Sequence, residues 1–366
     1  MSLRPGDVFA GYTVERELGA GGMGTVFLVR HPRLPRYDAL KLLKPDLSTD
    51  PTFVKRFERE GQLAAQLDHP NIVPVHDCGV WDGQLWISMR YVDGTNAERA
   101  LAQTPGGMPP ERAVRIVGKI ASALDYAHRH LLLHRDVKPA NILLCAADDE
   151  DEPERVFLSD FGVAKPIGGG PGVTATGDVL GTLDYSAPEQ IRGLQPDTRS
   201  DIYALGCVLY KLLTGTVPYP GETPAARVYG HLDGPIPRPG DRVPSLPAGL
   251  DEVVVTAMAK KPDDRYPTGR AMALAARAVL APAGSGAPSS AGELAGMGAR
   301  TGAHRADAPD PVVVPGVSGA WSLAALGGPW HFARGRTAPT GGPGAPGGSA
   351  APDPDGATVL IRRPRP

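Results

Sequence analysis

The sequence has few cysteines, no dominant charge of one sign and no long apolar segment at its start. Its three cysteines, Cys78, Cys145 and Cys207, are odd in number and far apart. This excludes a disulfide framework and a cysteine-based metal motif, and it predicts a cytoplasmic protein. A formal net charge of -2 over 366 residues argues against a nucleic-acid-binding protein, because such proteins usually carry a strongly basic face. Residues 1–7 lack the charged start and apolar run of a secretory signal.

The composition changes sharply near the C-terminus. Residues 282–366 are dense in proline, glycine and alanine, with too few apolar side chains to offset the entropy of ordering. We therefore predict a folded domain over 8–281, followed by a mostly disordered tail. Proline and glycine interrupt the apolar stretch 312–332, so no membrane-spanning helix is predicted, although its aromatic residues could contact a membrane surface. An acidic insert at 146–154 (AADDEDEPE) predicts a lengthened hairpin turn.

Near the N-terminus, glycines with GxGxxG spacing separate two apolar stretches. They are Gly19, Gly21 and Gly24, and an apolar run beginning at Val26 follows them. In dinucleotide-binding folds this pattern leads directly into a helix. Here a strand follows instead, which favours a glycine-rich lid whose backbone N–H groups can approach the phosphates of ATP.

A lysine in the next apolar strand predicts a phosphate contact. Lys41 lies in DALKLLKP, and such a lysine is a solvated edge residue unless an acid holds it against the α- and β-phosphates. In the helical pattern over 53–67, Glu60 falls near the apolar face, whereas Glu58 points elsewhere. We therefore predict a Lys41–Glu60 ion pair, with Glu58 as the alternative acid.

The most specific pattern is HRDVKPANILL, followed by SDFGVAK. Asp136 is predicted to accept the proton of an acceptor hydroxyl, and Lys138 to hold the γ-phosphate during transfer. Asn141 completes this catalytic set. Asn141 and Asp160 are also the predicted ligands of Mg²⁺, which Mn²⁺ could replace, because Mg²⁺ takes hard oxygen ligands together with phosphates. The structural alternative is a turn built around a buried His134.

With these motifs in order, the chain resembles eukaryotic-type serine/threonine protein kinases, most closely the bacterial branch found in actinobacteria. HPRLPRYDALKLL, GTLDYSAPEQ and RSDIYALGCVLYKLLTG also resemble that branch. The resemblance covers about 8–280. It implies an α+β, two-lobed protein kinase fold with a small, mostly β lobe (about 8–89) and a larger, mostly helical lobe (about 93–281). ATP and magnesium would bind between the lobes.

The resemblance also implies roles for residues outside these motifs. The adenine slot, gatekeeper and hinge would be formed by Leu18, Val26, Ala39, Leu143, Met89, Arg90, Tyr91 and Val92. Glu189, at the end of an APE motif, would pair with Arg265 to buttress the larger lobe. Asp201 would anchor the catalytic loop from a buried helix over 202–213. Thr182 could hydrogen-bond both Asp136 and Lys138, which favours Ser/Thr over Tyr as acceptor.

We therefore predict a serine/threonine protein kinase that phosphorylates protein substrates in signal transduction. A pseudokinase scaffold would lack one of the catalytic or metal-binding residues, and none is missing. A small-molecule phosphotransferase would lack the activation segment that here runs from Asp160 to Glu189. That segment carries Thr174 and Thr176. We predict that it is autophosphorylated there, because Arg135 and Lys165 are placed to bind a phosphate.

Two protein partners are also predicted. The resemblance suggests a homodimer, formed through the back of the small lobe, for trans-autophosphorylation. At the end of the tail, Thr358 with Ile361 three residues later resembles a ligand of forkhead-associated domains, which would bind phosphothreonine through charge-assisted hydrogen bonds. The alternatives are an end without function or contact of Arg362 and Arg363 with acidic lipid.

Overall fold

The computed structural model describes residues 3–147, 154–161 and 183–281. Its N-terminal part is built on a six-stranded antiparallel sheet with the spatial order β1-β2-β3-β4-β6-β5. The strands are β1 (Val8–Phe9), β2 (Tyr12–Gly21), β3 (Gly24–Arg30), β4 (Tyr37–Leu43), β5 (Val75–Trp81) and β6 (Gln84–Arg90).

Apolar side chains cover both faces of this sheet. On the outer face, Phe27 of β3 packs with Leu40 of β4 and Trp86 of β6. Because side chains alternate along a strand, the neighbouring positions of β4 point to the opposite face. There Ala39 and Leu43 join the core that includes helix α1 (Pro51–Ala65). Lys41, two positions from each, is thereby directed to the same face as α1.

Helix α1 begins at a clear cap and buries one stripe of side chains. The Asp50 carboxylate accepts a hydrogen bond of 2.8 Å from the backbone N–H of Thr52, and Pro51 occupies the first helical position. The buried stripe has helical spacing and consists of Phe53, Phe57, Glu60, Gly61 and Ala64. A glutamate within an otherwise small or apolar stripe requires a polar partner inside the protein.

The C-terminal part is mostly helical and carries a three-stranded sheet in the order β7-β8-β9. Its strands are β7 (Thr95–Asn96), β8 (Ile142–Cys145) and β9 (Arg155–Leu158). Its described helices are α2 (Ala97–Ala102), α3 (Pro110–Arg129), α4 (Pro188–Ile191), α5 (Thr198–Thr214), α6 (Pro224–Leu232), α7 (Pro239–Arg242), α8 (Gly249–Ala257) and α9 (Gly269–Leu280). Short 3-10 helices span Pro45–Thr49, Pro139–Asn141 and Pro262–Asp264.

Helix α5 lies at the centre of the larger lobe and is buried along most of its length. It begins at Asp197, whose carboxylate accepts the Arg199 N–H at 2.8 Å, and it ends at Gly215, which has a φ of 76°. It packs against α3 and α8. The family resemblance implied a buried helix over 202–213, and the structure extends that helix by one turn at its start.

The predicted architecture, a small mostly β lobe followed by a larger mostly helical lobe, is confirmed. Strands β8 and β9 pair antiparallel with Cys145 opposite Arg155, so the acidic insert joins the two strands of a hairpin. The predicted tail, 282–366, lies outside the described residues, and the predicted domain limits stay a prediction.

Candidate active site

The glycine-rich turn joins β2 to β3 and places Gly21 opposite Gly24. Gly24 has a φ of 159°, and a Cβ there would lie 1.9 Å from the carbonyl oxygen of Leu42. Only glycine therefore allows β3 to approach β4 this closely. At Gly19 and Gly21 an added Cβ would meet no atom of the described residues within 4 Å, so the surface above these two glycines is open to a ligand.

Lys41 links the sheet to the segment that follows β9. It lies on β4 between Val26 and Ile87 of the neighbouring strands. Its Nζ donates a hydrogen bond of 2.7 Å to Oδ1 of Asp160, and the two side chains are 15% and 26% exposed. The structure thus brings the predicted phosphate-binding lysine to the predicted metal ligand.

The predicted Lys41–Glu60 ion pair is not made in this structure. Glu60 instead accepts a hydrogen bond of 2.8 Å from Nη1 of Arg135, the arginine of the HRD motif. The alternative acid, Glu58, is half-buried and has no ion-pair partner in the described ranges. The physical reason is the position of α1, which places Glu60 beside the catalytic loop while Lys41 contacts Asp160.

Asp201 of α5 fixes the start of the catalytic loop. Its carboxylate oxygens accept the backbone N–H groups of His134 at 2.9 Å and Arg135 at 2.8 Å, and Nε2 of His128 lies 2.7 Å away. Burial is the largest single influence on the pKa of Asp201 and raises it. The hydrogen bond from His128 and the nearby His134 outweigh burial, so the pKa lies below its ordinary value. The ionised carboxylate therefore connects α3, α5 and the loop.

His134 supports the catalytic loop from within. Its Nδ1 accepts the N–H of Asp136 at 3.2 Å, and its Nε2 lies 3.0 Å from the carbonyl oxygen of Ser159, so the hydrogen-bond network assigns the proton to Nε2. Complete burial lowers the pKa of His134, which keeps the ring neutral. The ring packs against Phe161 with the centroids 4.8 Å apart. The buried His134 considered as an alternative is thus present together with the catalytic motif.

Two predicted catalytic residues, Lys138 and Asn141, contact the third, Asp136. Nζ of Lys138 lies 3.0 Å from Oδ2 of Asp136. Nδ2 of Asn141 donates to the backbone oxygen of Asp136 at 2.8 Å and to its Oδ2 at 3.1 Å. The backbone N–H of Ser159 donates a hydrogen bond of 2.9 Å to the backbone oxygen of Asn141. Such a carboxylate can accept a hydroxyl proton while the ammonium offsets developing negative charge.

Two oxygen donors suit a magnesium ion. Asp160 offers a partly exposed carboxylate. The side-chain Nδ2 of Asn141 donates to Asp136, so the side-chain Oδ1 is the Asn141 atom that could bind a metal. Mg²⁺ is commonly held by one or two carboxylates together with substrate phosphates, and this donor set fits that pattern. Within the described part of the chain, no group of three or more His, Cys, Asp or Glu side chains could hold a metal by itself.

The predicted adenine slot includes facing residues of β4 and β6, and the predicted hinge follows the end of β6. Ala39 of β4 is opposite Met89 of β6, and both are buried. The remaining predicted slot residues are partly buried against the same core: Leu18, Val26 and Leu143. Strand β6 ends at Arg90, and residues 91–93, which include Tyr91 and Val92, have no regular secondary structure. The chain leaves the sheet where the hinge was predicted.

Glu189 and Arg265 meet inside the larger lobe, as the resemblance implied. Nη1 and Nη2 of Arg265 donate to the two carboxylate oxygens of Glu189 at 2.7 and 2.8 Å, and Ser200 adds a third hydrogen bond of 2.6 Å. Burial is the largest influence on the pKa of Glu189 and raises it, but these hydrogen bonds outweigh it and the pKa is lowered. The pair is buried, with side chains 0% and 8% exposed.

Sequence reasoning missed several contacts around this site. Nη1 of Arg227, on α6, holds both carboxylate oxygens of Asp184 at 2.9 and 3.1 Å. Lys211 of α5 pairs with Glu98 of α2 at 2.6 Å, and His128 contacts Asp201. These partners are far apart in the sequence, and no spacing within one sequence indicates them.

Some predictions fall outside the described residues. These site residues are Lys165, Thr174, Thr176 and Thr182, and the whole tail with Thr358 and Ile361 lies there too. Among the helices that the structure describes, none has the length and apolar character needed to cross a membrane.

A small antiparallel sheet above a helical lobe, with a lysine, an HRD loop and an aspartate in the cleft, defines a phosphotransferase of the protein kinase class. Residues 12–273 match the sequence model of the protein kinase domain. Serine/threonine-protein kinase PknJ of Mycobacterium tuberculosis is 53% identical over 280 residues, 76% of this chain and 47% of PknJ. PknF of the same organism is 50% identical over 267 residues, 73% of this chain and 56% of PknF.

The fold has a counterpart among solved structures. The crystal structure of the Mycobacterium tuberculosis PknI kinase domain has a TM-score of 0.61 and 40% identity, and the match covers 76% of this chain and 100% of that one. The chain therefore belongs to the protein kinase domain family, among the serine/threonine kinases of the actinobacterial branch. It spans about half the length of the curated relatives it matches.

Proposed function

We propose that this protein is a serine/threonine protein kinase that transfers the γ-phosphate of Mg-ATP to hydroxyl groups of protein substrates. The observation that carries the proposal is the convergence of Lys138 and Asn141 on the Asp136 carboxylate. Lys41 and Asp160, which are also predicted site residues, contact each other. These contacts support the proposal, because a phosphoryl group, its metal and an acceptor hydroxyl would each need a side chain of opposite charge or a hydrogen-bond partner.

In this proposal each side chain has one task. Asp136 orients the acceptor hydroxyl and accepts its proton, and Lys138 offsets the charge of the transferring phosphoryl group. Lys41 contacts the α- and β-phosphates. Asn141 and Asp160 would hold Mg²⁺, which supplies charge neutralisation of the phosphates, and Mn²⁺ could replace it. Because protein kinases do little covalent chemistry themselves, positioning and electrostatics provide the rate.

Nucleotide binding in this proposal uses the open face of the glycine-rich turn. The backbone at Gly19 and Gly21 would approach the phosphates, while Gly24 fixes the turn against β4. The adenine ring would lie between Ala39 and the partly buried apolar residues of the slot. Met89 would border it, and the backbone of 91–93 would bind the adenine edge.

The regulatory part of the proposal concerns the activation segment. Autophosphorylation at Thr174 or Thr176 would supply a phosphate that Arg135 and Lys165 bind, at about 1.5–3 kcal/mol for each charge-assisted hydrogen bond. Thr182 would contact Asp136 and Lys138 in the serine/threonine-specific arrangement. We further propose a cytoplasmic signalling role, a homodimer for trans-autophosphorylation, and a forkhead-associated-domain partner that binds phosphorylated Thr358.

The test is transfer of labelled phosphate to a generic protein acceptor. Asp136→Asn and Lys41→Met should each nearly abolish transfer. Asp136→Asn should still bind Mg-ATP, because Asp136 acts on the acceptor rather than on the nucleotide. Asp68→Asn, at an exposed aspartate, is the matched control and should retain full transfer. Near-normal transfer by Asp136→Asn would refute the role of Asp136. A wild-type protein that binds ATP without transferring phosphate would indicate a pseudokinase scaffold.

A further inference from the structure

The loop 184–187, which lies directly before α4, is held at its first residue by an arginine of another helix. Nη1 of Arg227 on α6 donates to both carboxylate oxygens of Asp184, at 2.9 and 3.1 Å, and its Nε donates to the backbone oxygen of Gly221 at 2.8 Å. The Asp184 side chain is only 11% exposed. Burial raises the pKa of Asp184, and the Arg227 cation opposes that rise without cancelling it. The charged form of this carboxylate therefore depends mainly on Arg227.

A second ion pair contacts the same loop. Nζ of Lys211 on α5 donates to both carboxylate oxygens of Glu98 on α2, at 2.6 and 2.8 Å. The same Nζ lies 5.8 Å from the centroid of the buried Tyr185 ring. The charges of Lys211 and Glu98 also act on the pKa of Asp184, in opposite directions. The loop is therefore surrounded by charged side chains of both signs, which come from α2, α5 and α6.

Helix α6 presents Arg227 from a well-supported position. At the end of the helix, Nζ of Lys260 donates to the backbone oxygens of Gly230 and His231 at 2.7 and 2.9 Å. Nδ1 of the buried His231 also lies 2.9 Å from the hydroxyl of Tyr203 on α5. Moving the helix would leave these buried polar groups without their partners, so α6 can serve as a fixed support for the loop.

The other end of the loop is linked to the catalytic loop. Oε1 of Gln190 on α4 accepts the backbone N–H of Ala187 at 3.0 Å, and its Nε2 donates to the backbone oxygen of Arg135 at 3.4 Å. Arg135 directly precedes Asp136, the residue proposed to orient the acceptor hydroxyl. An acceptor whose hydroxyl reaches Asp136 would therefore lie close to the loop 184–187.

We propose that Arg227 is a positioning residue for the protein acceptor. Through Asp184 it keeps the loop 184–187 in the conformation that receives the acceptor next to the catalytic loop. Without Arg227, the Asp184 carboxylate would be buried without its main cation, and the loop would have to move to bring it into water. The nucleotide-binding residues lie on other elements and would keep their contacts. This inference rests on the proposed kinase function and adds a residue that acts on acceptor binding alone.

The test is the effect of Arg227→Gln on the kinetic constants of phosphate transfer to a generic protein acceptor. KM for the acceptor should rise about tenfold, the size expected for loss of one charge-assisted hydrogen bond. KM for ATP should stay within about twofold and kcat should change little, since only acceptor binding is weakened. Arg227→Lys keeps a cation near Asp184 and should retain most of the acceptor affinity, because a single nitrogen of Arg227 makes both contacts.

Arg192→Gln is the matched control. Arg192 follows α4, its side chain is 45% exposed, and its Nη2 lies 3.9 Å from the exposed carboxylate of Asp233. This variant loses the same charge without leaving a buried carboxylate, so both KM values should stay unchanged. An equal rise in acceptor KM for Arg192→Gln and Arg227→Gln would show a general charge effect and would overturn the positioning role.

The Asp184→Asn background tests whether Arg227 acts through Asp184. That variant alone should raise the acceptor KM about threefold, because the anchor is weakened to a neutral hydrogen bond. Adding Arg227→Gln should then have little further effect, since no buried carboxylate remains to be compensated. If Arg227→Gln raises the acceptor KM equally in both backgrounds, Arg227 contacts the acceptor directly and the inference is wrong. Should Arg227→Gln not fold, Asp184→Asn takes its place, and an unchanged acceptor KM contradicts the inference.

The remaining outcomes separate this inference from a structural role and from the proposed function. A parallel rise of both KM values with a lower melting temperature would mean that Arg227 only stabilises the fold, and the inference would be refuted. Normal transfer by the wild type with an unchanged acceptor KM in Arg227→Gln refutes the inference alone. A wild-type protein that transfers no phosphate refutes the proposed function and this inference with it.

Discussion

The two sides of the cleft are stabilised in different ways. Below it, the larger lobe holds the catalytic loop with buried charges whose hydrogen-bond partners are in place, such as Asp201 with His128 and two backbone N–H groups. Above it, the small lobe contributes Lys41, which contacts Asp160 across the cleft, and Glu60, whose Oε2 has no donor among the described residues. Both carboxylate oxygens of Asp201 have donors, whereas only one of the two oxygens of Glu60 has a donor among the described residues.

This difference between the two sides of the cleft indicates where a conformational change would cost least. Removing one partner from a satisfied, buried ion pair leaves an uncompensated charge, so alternative arrangements of the larger lobe are expensive. Exchanging partners among Lys41, Asp160, Glu60 and Arg135 keeps each charge near an opposite one. We therefore expect a conformational change to cost less at the top of the cleft than around Asp136.

The largest expected effect tests the larger-lobe network. Arg265→Met should lower the free energy of unfolding by about 3–5 kcal/mol, because Glu189 would remain as a buried charge without its bidentate partner. Urea unfolding followed by circular dichroism gives this value. Arg270→Met, at an exposed arginine of α9, is the control and should change little. A loss below about 1 kcal/mol for Arg265→Met would contradict the rigid larger lobe.

Lowering the pH should reduce the free energy of unfolding, because the buried His231 of the larger lobe would become protonated. Its side chain is buried, Nδ1 lies 2.9 Å from the Tyr203 hydroxyl, and burial, followed by the charge of Lys260, lowers the pKa of His231 to about 4. The unfolded chain protonates near pH 6.5, so the stability from the neutral ring is present above that pH and is lost as pH falls toward 4. Between pH 7 and pH 5 the loss should be about 2 kcal/mol.

Unfolding measured at pH 7 and pH 5 checks this prediction. His231→Asn should flatten the pH dependence of the unfolding free energy, whereas substitution of the exposed His130 by Gln should not. An unchanged pH dependence in His231→Asn would show that the ring does not control acid stability. Buried His134, whose pKa is also lowered, contributes in the same direction and remains in both variants.

The smallest effect on stability is expected on the small-lobe side. Lys41→Met removes the contact with Asp160, but both side chains are partly exposed, so solvent screens the pair and the cost should be about 1 kcal/mol or less. The same urea titration measures it beside Arg265→Met. Equal losses for the two variants would remove the contrast between the two sides of the cleft.

Several elements of the fold could be predicted from the sequence, because local patterns of apolar residues specify them. Strand β3 over the apolar run at Val26 and the apolar face of α1 follow from periodicity, whereas the buried helix α5 was implied by the family resemblance. Gly24 was predicted from its motif, but its physical requirement, the approach of β3 to the carbonyl of Leu42, is a property of the paired strands. The acidic insert also matched the hairpin of β8 and β9.

Partner choice within the site did not follow from the sequence. Lys41, Glu60, Arg135 and Asp160 were all singled out, yet the predicted pairing of Lys41 with Glu60 was wrong for this conformation. Arg227 with Asp184 was missed because no local spacing relates residues 43 positions apart, and the more distant Glu189–Arg265 pair was found only through the family resemblance. A single sequence shows that charges of both signs are present, but it does not give the distances between them.

The sequence by itself determined the order of the motifs and the residue types that meet at the Asp136 carboxylate, because these depend on local spacing and on chemistry that only certain side chains provide. The α+β architecture was implied by the family resemblance that these motifs carry. Only the tertiary structure decided that Glu60 contacts Arg135 and that Lys41 contacts Asp160. Ion-pair energies depend on the separation of atoms on different elements, and that separation is set by how α1 packs between the sheet and the catalytic loop.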